Sequence, residues 1–303
     1  FIIKCREVMI NAMKLTEFLN FYIDHARRDL TINAMSMDSI GNVYDYFGGQ
    51  ADLLNKKVRF VGVATKRIEE DYLRILRYFR FLVRFGDTTF ENIIKSPEMD
   101  DIRETRNGLM GVSGERIWSE MSKILTLPNS GSALKAMRST GVMRTIGLPY
   151  SSASYEFIDQ SDDVLTNLGT FLYSDTELNV LTDRWKISSK EFSTAKFLCE
   201  KLLPYIGITT SYSFDELLRW MVDGADRNNV LRLATYHDFV LNTTLKDQLL
   251  KVSVPVFPVM GRDLIAMGFE PGKALGDKLK DLREKWLESN YTLDKQALLE
   301  TVN

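Results

Sequence analysis

The chain has 303 residues, 39 Lys and Arg against 41 Asp and Glu, and a formal net charge of −2. That length suits one large or two to three small domains, and the near-neutral balance excludes a globally basic nucleic-acid binder. Two cysteines, Cys5 and Cys199, argue against a disulfide framework or a Cys-based zinc site and suit an intracellular setting, and no apolar run approaches the ~18 residues needed to span a bilayer. The chain starts at Phe1 rather than Met, which leaves room for a preceding segment, a targeting peptide included.

Residues 1–26 are poorly patterned. Phe1, Ile2 and Ile3 could end a strand, and Val8 to Ile23 has helix-like spacing. Arg27 to Met35, RRDLTINAM, reads either as a charged turn in which Asp29 caps a short helix, or as a ligand site. In the second reading Arg28, Asp29 and Asn33 surround a molecule that carries phosphate and hydroxyls, since guanidinium suits phosphate and carboxylate suits a ribose hydroxyl. Ser36 to Leu53 alternates as a hairpin, with Gly41-Asn42 as its turn. Gly48-Gly49 then marks either a plain turn or a hinge before a helix from Gln50. Val58 to Val63 is a short strand-like run.

Lys66 to Gly86 is the stretch around which the rest is organised. At about 100° per residue, Tyr72, Ile75, Leu76, Phe79, Leu82 and Val83 gather on one apolar arc. Glu70, Asp71, Arg74, Arg77 and Arg84 fall on the other side. One continuous helix is expected, with Asp71 and Arg74 adjacent at a spacing of three. Between Lys56 and Arg84, nine basic residues stand against three acids, a local charge of about +6 that can attract phosphates.

Beyond this the pattern is almost wholly helical. Ser113 can cap a helix through Leu125, and Gly131 to Ile146 reads as one helix ended by Gly147. Further helices are expected around 153–173, 176–183, 188–204, 213–222, 225–235 and 237–251. Val254 to Val259 is an extended, proline-containing link. Helices starting at Gly261 and Pro271 and a last short one after Asp294 follow. His25 and His237 lack metal-ligand partners at a sensible spacing and read as structural or surface residues. Trp118, Trp185, Trp220 and Trp286 read as core. Arg262, Lys273, Lys278, Lys280, Arg283 and Lys285 are interleaved with acids, which favours a solvated face.

Several motifs in order resemble the class II CCA-adding enzymes, tRNA nucleotidyltransferases related to bacterial poly(A) polymerases, and most of all the animal mitochondrial and cytosolic form. Arg27–Met35 is similar to the family's ribose motif, and Asp45–Leu53 (DYFGGQADL) to its flexible hinge. Glu70-Asp71-Tyr72-Leu73-Arg74 is similar to the E-D-x-x-R nucleotide-template motif, and Ser113–Ile117 to the neck motif. The tail from Phe257 to Trp286 looks like the family's C-terminal domain, so the match covers roughly residues 27 to 303. The resemblance implies a mostly α fold. A small α/β remnant of a nucleotidyltransferase head (1–62) precedes a helical neck (63–126), body (127–252) and tail (253–303).

It also implies roles. Arg28, Asp29, Asn33, Asp71, Arg74 and Arg77 would bind nucleotide, Gly48 and Gly49 would form the hinge, and Glu115 and Arg116 would support the neck. The implied activity is template-independent addition of C, C and A to the 3′ end of tRNA from CTP and ATP, with Mg²⁺ held by paired carboxylates. Those carboxylates sit in a D-x-D upstream of the ribose motif, and the chain contains no D-x-D. It is therefore expected to be inactive alone. The rival expectations are a catalytically dead tRNA-binding scaffold and an ATP-only poly(A) polymerase. No membrane partner is implied, the oligomeric state is monomer or homodimer, and the location is mitochondrial, cytoplasmic or nuclear.

Overall fold

A computed structural model describes residues 19–149, 155–172, 174–202 and 212–302. The expected strand end at Phe1–Ile3 and most of the Val8–Ile23 helix lie outside them, although 19–26 is helical. The fold is mostly α, with one two-stranded sheet among the described residues. By its internal contacts the chain divides into two compact units, Phe1–Ser211 and Tyr212–Asn303. This is a coarser division than the four expected segments.

In the first unit a 3-10 turn, Thr31–Asn33, leads into β1 (Met35–Met37), which pairs antiparallel with β2 (Val43–Asp45). Met35 stands opposite Asp45, and Gly41 takes the positive φ that the connecting turn requires. The hairpin follows from the alternation around Gly41-Asn42. The Val58–Val63 run behaves differently from expectation. Leu30 and Phe60 form a single bridge there, supported by Thr31 N donating to the Arg59 carbonyl and Val61 N to the Asp29 carbonyl. This segment serves to hold the Arg27–Met35 motif.

Helices α1 (Gly49–Leu54), α2 (Ala64–Glu70) and α3 (Arg74–Phe85) follow. The expected single helix over Lys66–Gly86 is thus broken at Asp71, whose backbone is extended at φ −159° and ψ 102°. Aspartate promotes such a break because its short side chain bonds nearby backbone, and here Oδ1 accepts from Leu73 N at 3.2 Å. The amphipathic arc survives in α3, where Ile75, Leu76, Phe79 and Leu82 are buried together with Tyr78. Tyr72 and Val83 only pack against the edge of the core.

Helices α4 (Phe90–Ile94), α5 (Glu98–Thr105), a 3-10 segment Arg106–Gly111 and α6 (Gly114–Leu125) come next. Ser113 sits at the N-cap of α6 but makes no side-chain cap bond. The expected helix Gly131–Ile146 is two, α7 (Gly131–Ser139) and α8 (Val142–Ile146), because Gly141 adopts a left-handed conformation between them. Helices α9 (Tyr155–Ile158), α10 (Val164–Gly169), α11 (Asp175–Trp185) and α12 (Ser189–Leu202) complete this unit. One core runs through it, from Leu30 and Phe60 to Trp185 and Cys199. Trp118 and Trp185 stack within it at 5.8 Å.

The second unit holds α13 (Phe214–Val222), α14 (Arg227–Leu241), α15 (Leu245–Lys251), α16 (Gly261–Ala266), α17 (Lys273–Glu288) and α18 (Lys295–Glu300). The break between α14 and α15 lies at Asn242, several residues later than expected. Asn242 takes the left-handed conformation that ends a helix, and Asp238 accepts from the N–H groups of Leu245 and Lys246. A separate small core gathers Leu264, Leu282, Trp286 and Leu298.

Gly114 marks a close approach, since a Cβ there would overlap the carbonyl of Arg184 at the end of α11. Gly114→Ala is expected to lower stability by about 1–3 kcal/mol through overpacking. Gly111→Ala, which would meet no atom within 4 Å, is expected to stay within about 0.5 kcal/mol. Urea unfolding of the two variants measures the contrast.

Candidate functional site

The Arg27–Met35 motif is built around Asp29. Its backbone is held by the Val61 bond, and its carboxylate is buried. Oδ1 accepts from Asn33 Nδ2 at 2.6 Å, and Oδ2 accepts from Arg77 Nε on α3. Asn33 in turn accepts from Leu30 N. Burial by itself would raise the Asp29 pKa, but the bonds from Arg77 and Asn33 outweigh it and hold the carboxyl below its ordinary value. Burial works against the Arg77 charge in the same way, and Asp29 more than restores it, with Asp71 close enough to add to the effect. Arg28 is not part of this set. It pairs with Asp24 at 2.8 Å on the surface.

Asp71 and Arg74, expected side by side on one continuous helix, instead flank a turn in which Arg74 N donates to the Asp71 carbonyl at 3.0 Å. Asp71 Oδ2 accepts from Arg116 Nη2 at 2.7 Å, whereas Arg74 pairs with Glu70 at 2.6 Å. The i,i+3 pair Asp71–Arg74 is therefore absent, because an extended residue at Asp71 removes the helical geometry the pair needs. Arg74 also donates to the carbonyls of Arg67 and Arg27, while Arg67 donates to Glu70 and to the carbonyl of Ala26. Two arginines thus satisfy carbonyls at the end of the 19–26 helix, which have no partner within it. With Asp29–Arg77, they join the ribose-like motif to the E-D-x-x-R turn. Asp29, Asn33, Arg74 and Arg77 come together, and Asp71 stands beside them.

The expected phosphate-attracting charge is weaker than the sequence count. Arg59, Arg77 and Arg80 are paired with Asp52, Asp29 and Glu120, three acids from outside the counted window. They reduce the local excess by half. Arg80 lies almost buried between Glu120 and the Phe81 ring, so it serves packing.

The Gly48-Gly49 segment is fastened at several points. Asp45 accepts from Gly49 N and Gln50 N, both at 2.8 Å, and caps α1. Gly48 supplies a left-handed conformation, and a Cβ on Gly49 would overlap the Thr31 carbonyl. Buried Asp52 accepts from Thr31 Oγ1 at 2.6 Å and from Arg59. Glu115 is exposed on the first turn of α6, next to Arg116. Several residues of this arrangement, Arg67, Glu70 and Gly108 among them, were not singled out as site residues from the sequence. Glu70 had a signal, since it lies three and four residues from Arg67 and Arg74. Gly108 had none. The Tyr72 ring packs so closely on it that a Cβ there would overlap the ring.

A poly(A) polymerase head-domain model matches residues 4–59, and a model described as a probable RNA and SrmB-binding site of polymerase A matches residues 99–151. The mitochondrial CCA tRNA nucleotidyltransferase 1 of Mus musculus is 37% identical over 284 residues, covering 91% of this chain and 65% of the relative. The chain belongs to the CCA-adding nucleotidyltransferase family. It spans just under two thirds of the length of that curated relative. The fold agrees. A CCA-adding enzyme of Bacillus stearothermophilus in complex with CTP superposes with a TM-score of 0.69 at 23% identity, over 92% of this chain and 73% of that one. A Thermotoga maritima CCA-adding enzyme complexed with tRNA gives 0.62 at 22% identity, over the same shares.

The family implies a metal pair. Among the described residues no group of three or more His, Cys, Asp or Glu side chains could hold a metal ion, and Asp24 is engaged by Arg27 and Arg28. The described residues do not fit that group. They offer a doubly braced carboxylate at Asp71 and, at Arg74, a guanidinium with part of its donor fork left for a ligand.

The Asp29–Arg77 pair should leave a pH signature. With the Asp29 pKa depressed in the folded state, its stabilisation is fully present above the ordinary carboxylate pKa of about 4 and fades as pH falls through the lower folded value. Asp29→Asn is expected to cost about 2–3 kcal/mol at neutral pH. The figure falls short of that for a fully buried pair because Arg77 keeps about a third of its side chain in water. Chemical denaturation from pH 7 down to pH 3 should show the wild type losing more stability than the variant.

Proposed function

We propose that the chain carries the nucleotide-selecting part of a CCA-adding enzyme, which extends the 3′ end of tRNA with C, C and A from CTP and ATP without a nucleic-acid template. The observation that carries this reading is the turn at Asp71–Leu73, which leaves the Asp71 carboxylate near Arg77 and the Arg74 guanidinium on the Arg27 carbonyl, two residues from the Asp29 that binds Arg77 and Asn33. The relatives' names support the substrate and a mitochondrial location.

Recognition follows from donor and acceptor patterns. A carboxylate at Asp71 accepts from the exocyclic amino group of cytosine or adenine, while Arg74 donates to the adjoining ring acceptor. Uracil and guanine present a carbonyl where the amino group should be, so they leave a carboxylate facing an acceptor. Such unpaired polar groups make rejection strong. Asp29 is buried and doubly bonded, so its part is to hold Asn33 and Arg77 against the sugar and phosphate side of the nucleotide. Arg28 adds an exposed guanidinium nearby. The metal-binding carboxylates are not among the described residues, and we assign no reaction step to them.

In this reading the chain binds CTP and ATP in the presence of EDTA at least about tenfold more tightly than UTP and GTP, a difference of ~1.4 kcal/mol that one good base contact supplies. Arg74→Ala should remove most of the preference. Isothermal titration with the four nucleotides measures it, and equal affinities in the wild type would refute the proposal. Incubated with tRNA lacking CCA, labelled CTP and Mg²⁺, the chain alone is expected to incorporate no label.

A further inference from the structure

We infer that Arg116, on the first turn of α6, and Gly108, in the 3-10 segment that precedes it, set the base selectivity of the Asp71 turn by holding its carboxylate and backbone in the reading position. This rests on the proposed nucleotide site.

Nothing in the apolar spacing of Lys66–Gly86 interrupts the helix, so tertiary contacts must help hold the break open. Two come from this one distant segment. The Tyr72 ring lies directly on Gly108, where any side chain would displace it. Arg116 Nη2 donates to Asp71 Oδ2 at 2.7 Å, while Leu73 N donates to Oδ1. A carboxylate bonded once on each oxygen cannot rotate, and its remaining lone pairs point in fixed directions. Without Arg116 the group is held at one oxygen only and can swing. It then still accepts hydrogen bonds, but no longer places an acceptor where uracil or guanine would put a carbonyl. Discrimination is lost before binding is, because the phosphate and sugar contacts are untouched. Arg116 is therefore a positioning residue acting through Asp71.

The test is equilibrium titration of the whole chain with CTP and UTP, alongside thermal melting. Arg116→Ala is expected to shrink the wild-type preference for CTP from about tenfold to under about threefold. The melting temperature should barely change, since this pair lies half in solvent and such pairs add little stability. Arg116→Lys should recover part of the preference by restoring one donor. Gly108→Ala should reduce the preference with Arg116 intact. A variant Arg116→Ala that discriminates like the wild type overturns the inference. So does one that binds CTP more tightly with its preference intact, which would make Arg116 a competitor for Asp71. Should the wild type itself show no preference, the proposed function fails, and the inference fails with it.

Discussion

The site depends on one ion pair formed across 48 residues of sequence, Asp29 with Arg77. A buried carboxylate left unpaired is strongly unfavourable, so Asp29 can stay ionised only where a cation and a second donor meet it. Arg77 provides the cation from α3, and Asn33 provides the donor from the same motif. That requirement fixes the distance and rotation between the small α/β portion and the first long helix. Arg67 and Arg74 add bonds to main-chain carbonyls at the end of the 19–26 helix, so three side chains from the α2–α3 region grip the short segment 26–29, two through its backbone and one through the Asp29 carboxylate.

Glycines complete the arrangement by allowing contact. Gly49 lets α1 press on the Thr31 carbonyl, Gly114 lets α6 start against the end of α11, and Gly108 accepts the Tyr72 ring. Each removes a side chain where the backbone must approach something rigid. The hinge-like segment thereby becomes a firmly anchored joint, with Asp45 and Asp52 bonding on either side of its glycines. Any movement there would have to break several of these bonds together.

The hairpin, the helical character of nearly everything after Thr65 and the buried face of α3 were legible because they depend on local period and turn chemistry. The mostly α fold with a small α/β remnant followed from the same patterns. Helix interruptions were harder to see. Asp71, Gly141 and Asn242 break helices whose apolar spacing continues across the break, so periodicity could not register them. The partners of the charged residues were harder still. Spacing put Arg74 beside Asp71 on one helix face, yet its guanidinium meets Glu70, while Asp71 meets a residue 45 positions away. The positive stripe lost half its excess to acids that a local count could not include.

The sequence by itself determined which residue types the site would contain and in what order the motifs would run, since donors, acceptors and amphipathic faces are properties of the residues themselves. Tertiary structure decided which donor meets which acceptor. Asp71 becomes a braced acceptor only because α6 and the 3-10 segment before it bring Arg116 and Gly108, and Asp29 becomes a buried anchor only because α3 delivers Arg77. The reason is physical. The strength and direction of a polar contact depend on burial and on the position of its partner, and both are set when distant segments pack.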